Sequence, residues 1–138
     1  MHRPADMKFL NQNEVDEEEE TLRRSVRELS ETQRLAFFKD LKPKLRDPDT
    51  YAVFNWFFIT GIHHFYLGRW LAGITDIALF ILGVVFIIQG EVILGGCILA
   101  GIFIVETYAL FRSQIIVQSW NNKVYAETLK RHSHKHNP

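Results

Sequence analysis

Two apolar runs constrain this chain more than any other feature. Trp70–Ile88 carries a single charge, Asp76, and Val92–Phe111 carries a single charge, Glu106. At a rise of about 1.5 Å per residue, a helix over either run is long enough to cross a hydrocarbon core of about 30 Å. Between them, Gln89-Gly90-Glu91 is a short polar break containing a helix-stopping glycine. An earlier run, Tyr51–Ile62, is markedly shorter. Its length suits a re-entrant, tilted or interfacial helix better than a full crossing. The alternative, the core of a soluble helical domain, is disfavoured because two near-continuous runs of this length exceed what a core helix needs.

Average composition conceals the pattern. Lys+Arg and Asp+Glu are 16 each, the formal net charge is zero and mean hydropathy is near zero. The averages mix a polar N-terminal third, an apolar middle and a polar tail. No basic face stands alone, so nothing points to nucleic acid. In 138 residues with this much apolar sequence there is no room for a separate enzyme domain. The single cysteine, Cys97, permits no intrachain disulfide and is expected as a small packing residue. The stretch from Met1 to Glu20 contains no apolar signal segment, so the apolar runs themselves are expected to direct insertion.

The expected architecture is all-α: a polytopic helical membrane protein with a transmembrane hairpin, a short re-entrant or third membrane helix, and a cytoplasmic N-terminal helical hairpin. Its parts are a disordered segment 1–13, amphipathic helices within 14–48, a membrane domain 49–112 with helices near 51–62, 70–88 and 92–111, and a C-terminal helix and His-rich tail over 113–138. Orientation follows from the basic residues. Ten lie in residues 1–50, one is Arg69, none is near residues 89–91 and five follow Glu106. Positive charge stays on the cytoplasmic side, so both termini are expected there and the Gly90 turn outside. Three full crossings rank second. A bacterial cytoplasmic membrane is the expected location.

A polar turn, Gly61-Ile62-His63-His64-Phe65-Tyr66-Leu67-Gly68-Arg69, interrupts the apolar region. Asp76 lies six residues after Trp70, and Glu106 six before Arg112. In a hairpin, both carboxylates then sit roughly 9 Å in from the same side. An uncompensated carboxylate at that depth costs about 2–3 kcal/mol, so each is expected to face a partner or a wet cavity. Arg69 is seven residues before Asp76, two turns away on one face, and Arg69, Ala72, Gly73, Asp76 and Gly83 form a small and polar stripe suited to helix packing. Arg69 is the expected permanent charge partner, with His63 and His64 close by. Gly96-x-x-x-Ala100 is a similar packing spacing on the next helix.

These residues resemble the TM-2 domain family, small proteins with two transmembrane helices joined to a turn of the form Gly-x-His (or Asp)-Arg-Phe-Tyr-Leu-Gly. The resemblance covers about residues 50–112, with matches at Gly61, His63, Phe65, Tyr66, Leu67 and Gly68. It implies a two-helix membrane domain and places the family's acid of the last helix at Glu106. His64 stands where the family usually has arginine. A pairing role of that arginine would pass to His64, to Arg69, or be lost.

The N-terminal third has its own pattern. Glu14 and Asp16–Glu20 precede Arg23, Arg24 and Arg27, which places acids at the positive end of a helix. Val15, Leu22, Val26 and Leu29 form one apolar stripe. Ser30-Glu31-Thr32-Gln33 reads as a capping box opening a second helix that carries Leu35, Phe38 and Leu41 and ends at Pro43. Asp49 or Thr50 is the expected cap of the next helix. The stripes either fold against each other or lipid, or dock a partner through Leu22, Val26, Leu29, Leu35, Phe38 and Leu41. Beyond Phe111, Ile116, Trp120 and Val124 recur at helical spacing, and Trp120 suits a membrane–water boundary. His132, His134 and His136 have no closed metal-ligand spacing and read as a solvated tail.

No nucleophile elbow, phosphate loop, dinucleotide fingerprint or zinc-protease helix is present. No catalytic residue, cofactor or metal is expected. The expected function is an integral membrane interaction or scaffold protein that anchors or assembles with another membrane or cytoplasmic protein, or with itself, without enzymatic activity. The alternative is a subunit of an ion or proton transport or pH-sensing assembly using Asp76, Glu106, His63 and His64.

Overall fold

The structure, a computed structural model, describes residues 10–56 and 61–134. The described residues form seven α-helices: α1 Gln12–Arg27, α2 Glu31–Leu41, α3 Pro48–Trp56, α4 Ile62–Tyr66, α5 Trp70–Ile88, α6 Val92–Phe111 and α7 Ser113–His134. Residues 1–9 of the segment expected to be disordered, residues 57–60 of the expected 51–62 helix, and the last tail residues lie outside the described residues. The chain forms two compact units, Pro48–Gln114 and the remainder on either side of it in sequence.

The first unit joins the two ends of the chain. Asn11 opens α1, its side chain accepting from the Asn13 N–H at 3.0 Å, so the helix starts two residues before the expected Glu14. Glu19–Arg23 and Glu20–Arg27 ion pairs of 2.5 Å line its exposed face. Such exposed pairs add little stability; the energy comes from the other face. Ser30 and Gln33 form the reciprocal cap of α2 that the sequence predicts, with the Ser30 N–H donating to Gln33 Oε1 at 3.0 Å. Val26, Phe37 and Leu41 form a buried cluster against which Leu29, Val124, Tyr125 and Leu129 pack. Phe37 meets Tyr125 edge-on at 5.2 Å. The stripe of α1 is therefore filled by α7. Of the six apolar side chains that read as a docking face, Val26 and Leu41 belong to this core, Leu29 packs on its edge and Leu22 is half-buried. Leu35 and Phe38 stay exposed, at 67% and 44%.

Polar side chains lock α7 in register with α1. Asn122 Nδ2 donates to the Val15 carbonyl at 2.9 Å, and Gln118 Nε2 donates to Asp16 at 2.8 Å and Glu19 at 2.6 Å. Asn121 exchanges two 2.8 Å hydrogen bonds with the backbone of Arg46.

The second unit is built on α5 and α6, which are joined through Gly90 (φ +93°). Both helices are long and apolar enough to cross a membrane. Their outward side chains are bare: Leu71, Ile93 and Phe111 are exposed at 83%, 85% and 84%. The helices touch where side chains vanish. A Cβ on Gly95 would lie 2.5 Å from the Gly83 carbonyl oxygen, and one on Gly83 2.8 Å from Leu99 Cδ2. Gly83 and Gly73 of the predicted stripe are buried. On α6 the contact falls on Gly95, whereas Gly96 faces open space and Ala100 is exposed, so the Gly96-x-x-x-Ala100 spacing does not mark the interface. Cys97, expected as a packing residue, is also on the outward face.

Helix α3 begins at Pro48, earlier than the expected Asp49 or Thr50 cap, because proline's fixed φ and missing N–H suit a first helical turn. Its last described helical residue is Trp56, and Ile62 already belongs to α4.

Candidate functional site

Helix α4 carries the polar turn, and two glycines shape it. Gly61 caps α4 with φ +55°, and Gly68 follows it with φ +68°, a left-handed conformation that costs other residues strain. Gly61 also lies directly against α5: a Cβ there would meet Asp76 Cβ and the Gly73 carbonyl oxygen, both at 3.3 Å. Phe65 lays its ring on Gly73, where a Cβ would come within 2.7 Å of it, and stacks edge-on against Trp70 at 5.1 Å. Tyr66 meets Phe54 of α3 at 5.4 Å. Leu67 is fully buried. The backbone closes the turn, with the Arg69 N–H donating to the His64 carbonyl at 2.8 Å. The glycines thus let α4 press flat onto α5, and the aromatics clamp it there.

This packing brings together both acids and both histidines. His63 Nε2 lies 2.8 Å from Glu106 Oε2. His64 Nε2 lies 3.0 Å from Asp76 Oδ2 and 3.7 Å from Glu106 Oε1. One ligand-type atom from each of the four residues fits within a mutual separation of 4.8 Å. His63 and Glu106 are buried, at 0% and 1% exposure; His64 and Asp76 are half-buried. Tyr51 of α3 closes the far side, its ring perpendicular to His63 at 5.4 Å.

The partner assignment differs from the sequence expectation. Among the described residues, the histidines and not Arg69 lie within ion-pairing distance of Asp76 and Glu106. The reason is positional: Arg69 is the cap of α5, whereas α4 projects its rings between α5 and α6. His64 therefore lies at the acids themselves.

Five polar atoms of the cluster are buried without a hydrogen bond: Nδ1 and Nε2 of His63, Nδ1 of His64, Asp76 Oδ2 and Glu106 Oε2. His63 Nε2 and Glu106 Oε2 are close enough for an ion pair, yet both are among these unpartnered atoms. An unsatisfied buried polar group costs about 1–3 kcal/mol, so a cluster of this kind is expensive unless something compensates it. The sequence reading missed Asn55, which is fully buried with both side-chain polar atoms unsatisfied. Its signal was available: an amide one helical turn after Tyr51, inside an otherwise apolar run. Of the tail histidines, His132 lies 3.5 Å from Asp40 of α2, well away in sequence from the cluster, and the side chains of His134 and His136 are outside the described residues.

Comparison of the chain with known protein families, with curated proteins and with solved structures finds no match.

Proposed function

We propose that this chain is an integral membrane interaction or scaffold protein without enzymatic activity, whose α5–α6 hairpin crosses the bilayer twice and whose two ends fold together on the cytoplasmic side. One observation carries the reading. Two apolar helices of membrane-crossing length, with bare outward faces, are inserted between two chain segments that pack into one unit. Segments that share a core must lie on one side of a membrane, which requires an even number of crossings. Helix α3 has nine residues and reaches about 14 Å, half of what a crossing needs. The fifteen basic residues that flank the hairpin favour the cytoplasm for that side, and a bacterial cytoplasmic membrane is the setting proposed. Membership of the TM-2 domain family is part of the same proposal and rests on the turn residues Gly61, His63, Phe65, Tyr66, Leu67 and Gly68.

Labelling of single-cysteine variants in a Cys97→Ser background tests the topology. Substitutions at Glu20 and Lys130 should react only from the cytoplasmic side, and one at Glu91 only from outside. Reaction of the Glu20 and Lys130 variants from opposite sides would establish an odd number of crossings and end this reading.

The partner face is the exposed part of α2. Leu35 and Phe38 stand exposed on a helix anchored by Phe37 and Leu41, with the Phe38 ring resting edge-on against Phe37 at 5.3 Å. Leu35→Asp with Phe38→Asp is expected to abolish capture of a partner protein, or self-association, and to leave protease resistance unchanged. Val26→Asp, which puts a charge in the core, is expected to destroy that resistance. Unchanged association in the folded double variant would remove α2 as the docking face.

The convergence of His63, His64, Asp76 and Glu106 favours a second reading, a subunit of an ion or proton transport or pH-sensing assembly. Ion or proton flux in liposomes that Asp76→Asn abolishes would put transport ahead of scaffolding; absence of flux in the intact protein would dismiss it.

A further inference from the structure

We propose that His63, His64, Asp76 and Glu106 bind one divalent first-row transition-metal ion, with Zn(II) as the type ion. The inference stands on the geometry of the cluster and does not depend on the scaffold reading.

Three properties of the cluster point to it. The first is spacing. In a tetrahedral site with bonds of about 2.0–2.2 Å, ligand atoms sit about 3.4 Å apart. The three nitrogen–oxygen separations here are 2.8, 3.0 and 3.7 Å, and all four ligand-type atoms lie within 4.8 Å of one another. Small side-chain movements bring them onto one ion. The second is orientation. A histidine that serves a carboxylate as a charge partner aims an N–H at it. Here His63 Nε2 and Glu106 Oε2 approach closely and neither completes a hydrogen bond. Buried polar atoms this close, with no hydrogen bond completed between them, are placed to share a cation. The third is charge. Two neutral imidazoles, two carboxylates and a dication sum to zero, the least costly total for a site this buried. Protonating both histidines balances the charge equally well, so it is the spacing of the four donor atoms that points to an ion.

The donor set narrows the ion. Two imidazoles with two carboxylates suit zinc, iron or manganese, whereas calcium and magnesium prefer oxygen-only sites with more ligands. The supply of donors from three helices matters too. α4 gives both nitrogens, while α5 and α6 give one carboxylate each, so the ion would tie the turn to both long helices at once.

The test uses the full chain in detergent, with His132, His134 and His136 replaced by glutamine so that the tail cannot bind. After incubation with Zn(II) and desalting, elemental analysis should find one zinc per chain. His64→Gln or Asp76→Asn, chosen because each keeps a polar side chain of similar size, should weaken Zn(II) binding at least tenfold while circular dichroism stays helical. Glu91→Gln should not alter it. X-ray absorption on the Zn(II)-loaded protein, which does not depend on any cluster variant folding, should show two imidazoles and light oxygen ligands at about 2.0–2.2 Å. Absence of stoichiometric zinc, a spectrum without imidazole, or undiminished affinity in a folded His64→Gln or Asp76→Asn protein would overturn the proposal.

Discussion

Glu106→Ala is expected to remove most of the folded second unit, while Glu91→Ala leaves its yield and melting temperature unchanged. The two glutamates lie at opposite ends of α6. Glu91 is exposed beside Gly90 and meets water, whereas Glu106 is 1% exposed and faces two histidines. Truncating one member of a buried ionic group leaves the others desolvated without compensation, at a cost of about 3–5 kcal/mol. A domain has only about 5–15 kcal/mol in total, so the loss is large against the whole. Size-exclusion profiles and thermal unfolding in mild detergent give the readout. A second variant separates the cost of an orphaned partner from the cost of lost packing. Replacing His63 and Glu106 together by leucine removes both polar groups, and buried pairs exchanged for apolar side chains are often neutral or better. The double variant should therefore melt above Glu106→Ala. Equal melting of Glu106→Ala and Glu91→Ala would mean that the Glu106 carboxylate is not held by its neighbours.

The same cluster shows how far the sequence can be read. Helix length and hydropathy are local properties, and α5 and α6 run over the residues that composition predicts. Depth is also local: six residues on from Trp70 and six back from Arg112 place Asp76 and Glu106 at one level. The identity of the charge partner is not local. His63, His64 and Arg69 lie close together in sequence, and a permanent charge makes arginine the natural choice. Only the tilt of α4, set by the positive φ of Gly61 and the seat of Phe65 on Gly73, decides that His63 and His64 enter instead. The stripe on α1 was legible as a stripe, but its occupant was not. Val26 packs with Tyr125 and Leu129, and no periodicity within α1 announces a helix at the other end of the chain. At α3 the helix opens on Pro48 and not after a cap at Asp49 or Thr50, because proline's fixed φ suits a first helical residue.

Glycine substitutions in α6 should separate two adjacent residues that the sequence cannot tell apart. Gly95 and Gly96 are neighbours of the same type, but consecutive residues point about 100° apart around a helix. A Cβ on Gly95 would lie 2.5 Å from the Gly83 carbonyl oxygen, 2.6 Å from Ile87 Cγ1 and 3.0 Å from the Ile87 backbone nitrogen. Two of those atoms are backbone, which cannot rotate out of the way, so α5 and α6 must move apart along their contact. Gly95→Ala is expected to cost about 1–3 kcal/mol, the usual range for overpacking, and Gly95→Leu more. At Gly83 the tight obstacles are Leu99 Cδ2 at 2.8 Å and Cγ at 3.0 Å, on a side chain that can shift, while the one backbone atom, the Gly95 carbonyl oxygen, is farther off at 3.3 Å, so Gly83→Ala should cost less than Gly95→Ala. Gly96 and Gly101 have nothing within 4 Å of an added Cβ. There alanine removes glycine's backbone entropy without a clash, and the change should be neutral or stabilising by up to about 1 kcal/mol. Melting temperatures of the four alanine variants in one detergent give the order: Gly95 lowest, then Gly83, with Gly96 and Gly101 at or above the unsubstituted protein. A Gly96→Ala protein less stable than Gly95→Ala would place the helix contact on the other face of α6 and with it rotate Glu106 out of the cluster, since both residues are carried by the same rigid helix.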